Sequence, residues 1–212
     1  TKDVLVKTCR SHLLISLYKV ENKKEKLENF KAAISSTVRS ISNSEKIEVS
    51  FGNQTPKSEN DSIKLPELSQ INNKLNFIQI RAMADSKSLN FRFSDDKTFK
   101  KYEPEGNVSK KLYKISEKIR CEKIGTSYFK GVKNNIEKFY QERVSGLDLK
   151  SSEDKIIESF ENYLRTKFLN FKNDNQIDKK LKSYKKDLNE KFKDKIAELN
   201  EVTLDQKKFN SL

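Results

Sequence analysis

The stretch 112–136 combines an apolar stripe, a compact group of charges and a glycine, and it predicts the central helix of the fold. Leu112, Ile115 and Ile119 are spaced by three and four residues, which places them on one helix face at about 100° per residue. We expect that face to point toward the core. Beyond Gly125 the apolar positions keep helical spacing but point in another direction, so a break is predicted near this glycine.

The same helical wheel gives the three charges of this stretch different surroundings. Glu117 and Arg120 project almost opposite the apolar stripe and one turn apart, so both are expected to face solvent. Glu122 falls only about 60° from the centre of the stripe, which places it at the core boundary. A buried carboxylate without a partner is strongly unfavourable. Glu122 therefore requires a cation or several hydrogen-bond donors.

The segment 69–93 predicts a second central helix. Its apolar residues lie within about 60° of arc: Ile71, Leu75, Ile78, Ala82, Leu89 and Phe93. Arg81, Asp85 and Arg92 run along one flank of this stripe. Such a charged row at the edge of a buried face is more typical of a structural ion-pair network than of a catalytic site. We expect the two central helices to pack together, with Arg81 or Arg92 near Glu122.

The remaining elements are also mostly helical. Residues 21–43 carry one apolar stripe and predict a first helix. Residues 46–51 and 62–65 alternate apolar and polar side chains and predict two short strands. With 5 Gly and 3 Pro, the chain has too few turn residues for a many-stranded sandwich or barrel. The predicted fold class is therefore mainly α, a multi-helix domain with a small two-stranded β element.

The C-terminal half adds three helices to this prediction. The helix after the glycine break is expected to run to about residue 143, and the polar run 151–153 opens another with a broad apolar face. Residues 172–212 carry a narrow apolar stripe down a highly charged segment and predict one long amphipathic helix. The expected organisation is a leader over residues 1–20, a helical domain over 21–171 and the long helix over 172–212.

The leader 1–20 lacks a methionine at its start, and its apolar run is too short for a signal peptide. It is interpreted as the edge of a fragment or an upstream extension of the reading frame. The alternative is a short strand or helix that packs on the domain. No stretch approaches the roughly 18 consecutive apolar residues of a transmembrane helix. We expect a protein that does not cross a membrane.

The formal net charge of +13 raises the possibility of a nucleic-acid partner. The positive charge is almost all lysine, however, and it is interleaved with acidic residues along the helices, which is typical of a solvated surface. A nucleic-acid site requires a basic patch with aromatic residues or a recognisable motif, so this partner is disfavoured.

The few cysteines and histidines argue against several classes of metal site and catalytic site. The two cysteines, Cys9 and Cys121, form no metal-binding or redox motif, and a reducing, cytoplasmic setting fits them best. With His12 as the single histidine, zinc sites and Ser-His or Cys-His catalytic pairs are disfavoured. Phosphate-binding glycine loops and hydrolase motifs are absent from the sequence. The adjacent Asp95 and Asp96 are expected to be solvated or to cap a helix.

An ordered set of short motifs resembles the N-terminal domain of the CobT family, the large accessory subunit of the aerobic, ATP-dependent cobaltochelatase. The resemblance covers about residues 29–212. The motifs are Glu48-Val49-Ser50-Phe51-Gly52, Leu65-Pro66-Glu67, the run from Arg81 to Leu89, Pro104-x-Gly106, Glu117-x-x-Arg120-x-Glu122-x-x-Gly125 and Gly131-Val132-x-x-Asn135-Ile136.

The resemblance implies a partner role without catalysis by this chain. In the family, a hexameric AAA+ ATPase subunit (CobS-like) acts with CobT to drive a large subunit (CobN-like) that inserts cobalt into hydrogenobyrinic acid a,c-diamide. ATP and cobalt are used by the complex, and no cofactor or metal is expected on this chain. Members continue through an acidic linker into a von Willebrand A domain. Neither is found in this sequence, so the N-terminal part of such a subunit is expected.

The matched residues are expected to form a structural ion network or to dock a partner, with Glu117 and Arg120 the docking pair and Glu122 structural. The full set is Arg81, Asp85, Arg92, Glu117, Arg120, Glu122, Gly125 and Gly131. A homo-oligomer within the complex is also expected. Two alternatives remain: an adaptor of a non-chelatase AAA+ and von Willebrand A pair that remodels another complex, and a basic helical nucleic-acid binder.

Overall fold

A computed structural model describes residues 24–53, 61–67, 74–146, 151–172 and 175–212, with the side chains of 74–76 and 175–183 outside the description. The predicted leader lies outside these residues. Within them the chain forms eight helices and one small sheet, which confirms the mainly α expectation. None of these helices is long and apolar enough to cross a membrane.

The N-terminal elements form a small subcore. Helix α1 covers residues 24–42, and its predicted stripe is buried at Ile34, Val38 and Ile41. Strands β1 (Glu48–Phe51) and β2 (Ser62–Leu65) follow and pair in parallel, with Glu48 opposite Ser62 and Phe51 opposite Leu65. Both predicted strands are therefore confirmed. Ile34, Val38 and Phe51 pack with residues of β2 and the next helix in one apolar cluster.

Seven helices build the rest of the molecule: α2 (Lys74–Phe93), α3 (Asp96–Lys101), α4 (Asn107–Tyr128), α5 (Val132–Ser145), α6 (Ser152–Leu169), α7 (Asn175–Glu201) and α8 (Gln206–Ser211). Side-chain caps start three of them. Asp95, Ser151 and Asp205 each accept a hydrogen bond from the backbone N–H three residues later. The capping role expected for the Asp95–Asp96 pair is confirmed, although α3 itself was not predicted.

Helix α4 lies at the centre and packs against α2, α5 and α6, so the expected contact between the two central helices is confirmed. The predicted break near Gly125 is wrong. Helix α4 continues through Gly125 to Tyr128, and the chain turns at Gly131, where φ is 103°. A positive φ of this kind strains residues with a Cβ. Gly131 is the N-cap residue of α5, whereas Gly125 serves another purpose described below.

The C-terminal segment also differs from the prediction of one long helix to residue 212. Helix α7 ends at Glu201, and Asp205 caps the separate helix α8. Apolar residues of both helices, Ile196 and Phe209, are buried in the main core with Leu164 and Phe168 of α6. The C-terminal part of α7 and helix α8 are therefore packed into the same core as α6.

Candidate functional site

Helix α4 is buried around its whole circumference over two turns. Glu117, Ile119, Arg120, Cys121, Glu122, Ile124 and Gly125 are all buried. A helix inside a bundle has neighbours on every side, so polar residues on it must find partners within the protein. The three charged motif residues of α4 meet this requirement in two separate clusters.

The first cluster pairs Glu117 with Arg120. Arg120 donates from Nε to Glu117 Oε2 at 2.9 Å and from Nη2 to Oε1 at 2.8 Å. Ser94 Oγ donates to the same carboxylate at 2.6 Å. Nη1 donates to the Thr203 carbonyl at 3.1 Å, and Nη2 also donates to the Phe93 carbonyl at 2.5 Å. Each of the three guanidinium nitrogens of Arg120 is thereby hydrogen-bonded within the chain.

The expectation that Glu117 and Arg120 face solvent is wrong, because they are 2% and 1% exposed. The turn after α7 and helix α8 cover this side of α4, and the ring centroid of Phe209 lies 5.8 Å from the Arg120 guanidinium. The helical wheel locates the face opposite the stripe correctly. It does not show that a distant segment of the chain covers that face.

The second cluster surrounds Glu122, which is completely buried. Ser86 Oγ of α2 donates to Glu122 Oε1 at 2.6 Å, and Arg165 Nη1 of α6 donates to Oε2 at 2.6 Å. Glu122 thus has the cation that its position requires. The expected partner, Arg81 or Arg92, is wrong, since the cation comes from α6.

Arg165 continues this cluster toward α5. Its Nε donates to Glu161 Oε1 at 2.8 Å, and Arg143 bridges Glu161 and Glu158 at 2.9 Å and 2.6 Å. The charges therefore alternate from Glu122 through to Glu158. Burial by itself lowers the pKa of the Arg165 guanidinium, but Glu122 and Glu161 outweigh this effect and raise it. Burial would raise the pKa of Glu161, yet Arg165, Lys118 and Arg143 together lower it.

The charged row of α2 does not form a single network. Asp85 is 4% exposed and accepts a hydrogen bond from Asn135 Nδ2 at 2.8 Å. Burial raises the pKa of Asp85 to about 6, against the opposing effects of Asn135 and Arg81. Arg81 and Arg92 are exposed. Arg81 stacks over the Phe30 ring, and Arg92 donates to the Ile41 carbonyl at 3.0 Å.

Gly125 allows α2 and α4 to approach each other closely. A Cβ at this position would overlap the side chain of Leu89, which is itself fully buried. At Gly131 a Cβ would meet no atom within 4 Å, and the requirement for glycine comes from its positive φ. The two motif glycines therefore have different physical roles.

A cleft of about 830 Å³ opens above the second cluster, between β2, α2, α3, α4, α5 and α6. We call it the basic cleft. Its cations are Lys64, Lys87, Lys114, Lys118, Arg143 and Arg165, and its larger apolar side chains are Met83, Phe91, Phe99, Ile136, Phe139 and Tyr140. Its acidic residues are Asp95, Asp96, Glu117, Glu122 and Glu161. The last three belong to the two ion clusters, which lie at the floor.

Sequence reasoning missed the contributions of α5 and α6 to this site. The second cluster has six residues, and four of them, Arg143, Glu158, Glu161 and Arg165, were not singled out in the sequence. The one available signal was Glu161 and Arg165 at i and i+4, but the same spacing is common on exposed helix faces. Asn135 was present in a matched motif, and its role as the donor to Asp85 was not inferred.

Within the described ranges, no group of three or more histidine, cysteine or acidic side chains is arranged to hold a metal ion. Cys121 is a buried free thiol, and burial raises its pKa well above the usual range. A thiol in this state is a poor nucleophile. The described site is thus a set of paired charges under a cleft.

The fold and its ion clusters define a mainly helical domain that uses its charged motif residues inside the core. Over residues 24–212 the chain matches the family model described as cobalamin biosynthesis protein CobT, and it belongs to this family. The resemblance drawn from the motifs is thereby confirmed, and family membership associates the chain with cobalamin biosynthesis. No solved structure matches the chain.

Proposed function

We propose that this chain is a non-catalytic accessory subunit of an ATP-dependent cobaltochelatase. It acts with a CobS-like AAA+ ATPase subunit and a CobN-like large subunit. The ATPase hydrolyses ATP, and the large subunit inserts cobalt, the substrate ion, into hydrogenobyrinic acid a,c-diamide. The observation that carries the proposal is membership of the CobT family over residues 24–212.

The geometry of the motif carboxylates supports the non-catalytic part of this proposal. Glu117 accepts from Ser94 and Arg120, and Glu122 accepts from Ser86 and Arg165, all inside the core. A general acid or base must reach a substrate proton, directly or through one water. Carboxylates held in this way are suited to fixing the positions of α2, α4 and α6. We propose this structural role for both.

The test is light scattering on a gel-filtration column, with the chain mixed with the cognate ATPase subunit in the presence and absence of ATP. A ring-sized complex that forms only with nucleotide is the expected result. Absence of a complex, with both proteins folded, would overturn the proposed partnership. Omitting the chain from a reconstituted cobalt-insertion assay should then abolish ATP-dependent insertion, and unchanged insertion would overturn the accessory role.

A matched variant separates a structural role of the first cluster from the docking role expected from the sequence. Glu117→Gln combined with Arg120→Met removes the pair without greatly changing its volume. Because both side chains are buried, protein that remains folded should still form the complex. Loss of the complex without loss of the circular dichroism spectrum would instead assign docking to this pair.

A further inference from the structure

The basic cleft has the size and depth of a small-molecule site. Its volume of about 830 Å³ falls within the range of roughly 300–1,000 Å³ that is usual for ligand pockets. It follows one face of α2 from Ala82 to Ser94, a length of about 18 Å at 1.5 Å per residue. Its lining includes Ile136, which is 3% exposed, as well as exposed lysines at the rim. It is therefore a deep cleft with a charged mouth.

Two rim lysines carry positive charge that no carboxylate neutralises directly. Lys64 and Lys87 are exposed, and neither makes an ion pair within 4 Å in the part of the chain that the structure describes. Lys118, by contrast, lies near Glu161 and lowers the pKa of that carboxyl. The Lys87 ammonium donates to the Lys64 carbonyl at 2.7 Å, which fixes its position beside β2. Burial lowers the pKa of Lys87, so its charge is partly desolvated. An anion beside Lys87 would stabilise the charged form of its ammonium group.

The acidic groups of the lining do not cancel this charge locally. Arg165 pairs with both Glu122 and Glu161. Arg143 and Lys118 also act on Glu161, so the two carboxylates add little net negative charge at the floor. Hydrogen bonds from Ser86 to Glu122 and from Ser94 to Glu117 show that α2 and α4 run antiparallel. Asp95 and Asp96 therefore lie at the end of the cleft opposite Lys87, about 12 Å away along α2.

The wall between these two ends is apolar and aromatic. Met83, Phe91 and Phe139 are half-buried and line the cleft, and Ile136 lies deeper. Tyr140 also lines it and is 4% exposed, and its hydroxyl lies beside the Asn162 side chain of α6. Its ring therefore adds to the aromatic wall.

We propose that the basic cleft binds a small organic anion, a carboxylate or a related acid group carried on a flat apolar body. The acid group lies beside Lys64 and Lys87, and the apolar body lies against Met83, Phe91 and Phe139. Nothing in this proposal depends on the chelatase role, because binding is measured on the isolated chain.

The first test compares two dyes of similar shape and different charge. Anilinonaphthalene sulfonate carries one acid group on an aromatic body, and N-phenyl-1-naphthylamine lacks that group. We expect saturable fluorescence enhancement with one sulfonate dye per chain and binding at least tenfold tighter than that of the neutral dye. Equal affinities for the two dyes, or no saturable binding, would overturn the proposal.

The second test removes charge from the rim. The double variant Lys64→Gln and Lys87→Gln should weaken sulfonate binding roughly tenfold and leave the neutral dye unaffected. The matched control replaces two exposed lysines outside the cleft, Lys130 and Lys138, by glutamine. Equal weakening by both double variants would show that overall charge, and not the cleft, attracts the dye.

The third test fills the cleft. Asn90 is an exposed cleft residue, and Asn134 is an exposed residue of α5 outside the cleft. Asn90→Trp should abolish saturable dye binding, whereas Asn134→Trp should preserve it. Both variants should keep the circular dichroism spectrum and melting temperature of the parent, because both sites are at the surface. Retained binding in folded Asn90→Trp would place the dye elsewhere and overturn the assignment.

Discussion

Arg165 Nη1 on α6 donates to Glu122 Oε2 on α4 at 2.6 Å, and the two side chains are 2% and 0% exposed. This pair joins two helices of the main core through charges that are fully removed from water. Because water no longer solvates them, the charge of each side chain is compensated mainly by the other, with Ser86 and Glu161 as the further partners. The consequences of this dependence can be measured.

Replacing Glu122 by glutamine is expected to lower the free energy of unfolding by about 3–5 kcal/mol, because Arg165 then keeps a buried charge with fewer compensating groups. Urea denaturation measures this change. Glu153→Gln is the control, since Glu153 pairs with Lys111 at the surface and its removal should alter stability little. Wild-type stability in Glu122→Gln would contradict the buried pairing.

The double variant Glu122→Leu with Arg165→Met should be more stable than Glu122→Gln. Both charges are absent from it, so neither is left unpaired, and the replacements retain apolar volume. Glu161 and Arg143 then remain as a pair at 2.9 Å. A double variant that is less stable than the single one would indicate that the pair itself contributes net stability.

Replacing Arg120 by methionine is expected to loosen the C-terminal segment. Arg120 holds the turn before α8 through the Thr203 carbonyl, and its guanidinium lies under the Phe209 ring. Hydrogen exchange should therefore accelerate in residues 202–212 more than in α5, whose buried face does not contact Arg120. Uniform acceleration throughout the chain would indicate global destabilisation and would contradict a local tether.

Replacing Gly125 by alanine should destabilise the protein despite the better helix propensity of alanine. The new Cβ would overlap Leu89, so α2 and α4 must separate or Leu89 must leave its position. Overpacking of this kind typically costs about 1–3 kcal/mol. The two positions should be coupled. Gly125→Ala should lower the free energy of unfolding less in a Leu89→Ala background, because the smaller side chain at position 89 leaves room for the new Cβ.

Gly131→Ala provides the comparison for that variant. A Cβ there meets no neighbouring atom, and the cost comes from the positive φ, about 1–2 kcal/mol. Leu89→Ala should therefore leave the effect of Gly131→Ala unchanged. Equal coupling of Leu89 to both glycines, measured by urea denaturation of the single and double variants, would contradict the separate roles assigned to them.

The elements that were predicted correctly have strong local signals. The stripe of α1, the alternation of β1 and β2, and the Ser151 cap of α6 each follow from residues that are close in sequence. The packing of α2 against α4 was also predicted correctly, because two helices with apolar stripes of similar length can bury those stripes against each other.

The errors arise where distant segments meet. A helical wheel shows the direction of Glu117 but not that α8 covers it, and it shows that Glu122 needs a cation without showing which helix supplies one. Gly125 and Gly131 look alike in sequence, since glycine serves both close packing and positive φ. The basic cleft combines residues from six elements, so no single stretch of sequence indicates it.

The last prediction concerns Asp85 and pH. Its pKa is raised from 3.8 to about 6 by burial, so the folded state favours the protonated carboxyl more than the unfolded state does. Between about pH 4 and pH 6 the folded state therefore binds more protons, and stability falls as pH rises through this window. The total loss attributable to Asp85 is about 3 kcal/mol, at about 1.4 kcal/mol per pKa unit.

Asp85→Asn should remove this loss, because the amide stays neutral and can still accept from Asn135. The variant should match the wild type near pH 4 and exceed its free energy of unfolding by about 2–3 kcal/mol near pH 7. Urea denaturation at several pH values measures the free energy of unfolding of both proteins. Other ionisable groups affect both proteins alike, so their effects cancel when the wild-type value is subtracted from that of the variant. Asp187→Asn, on an exposed part of α7, is the control and should change stability little at any pH. A difference between Asp85→Asn and wild type that is independent of pH would mean that Asp85 is ionised in the folded protein throughout this range, and that Asn135 and Arg81 together outweigh the effect of burial.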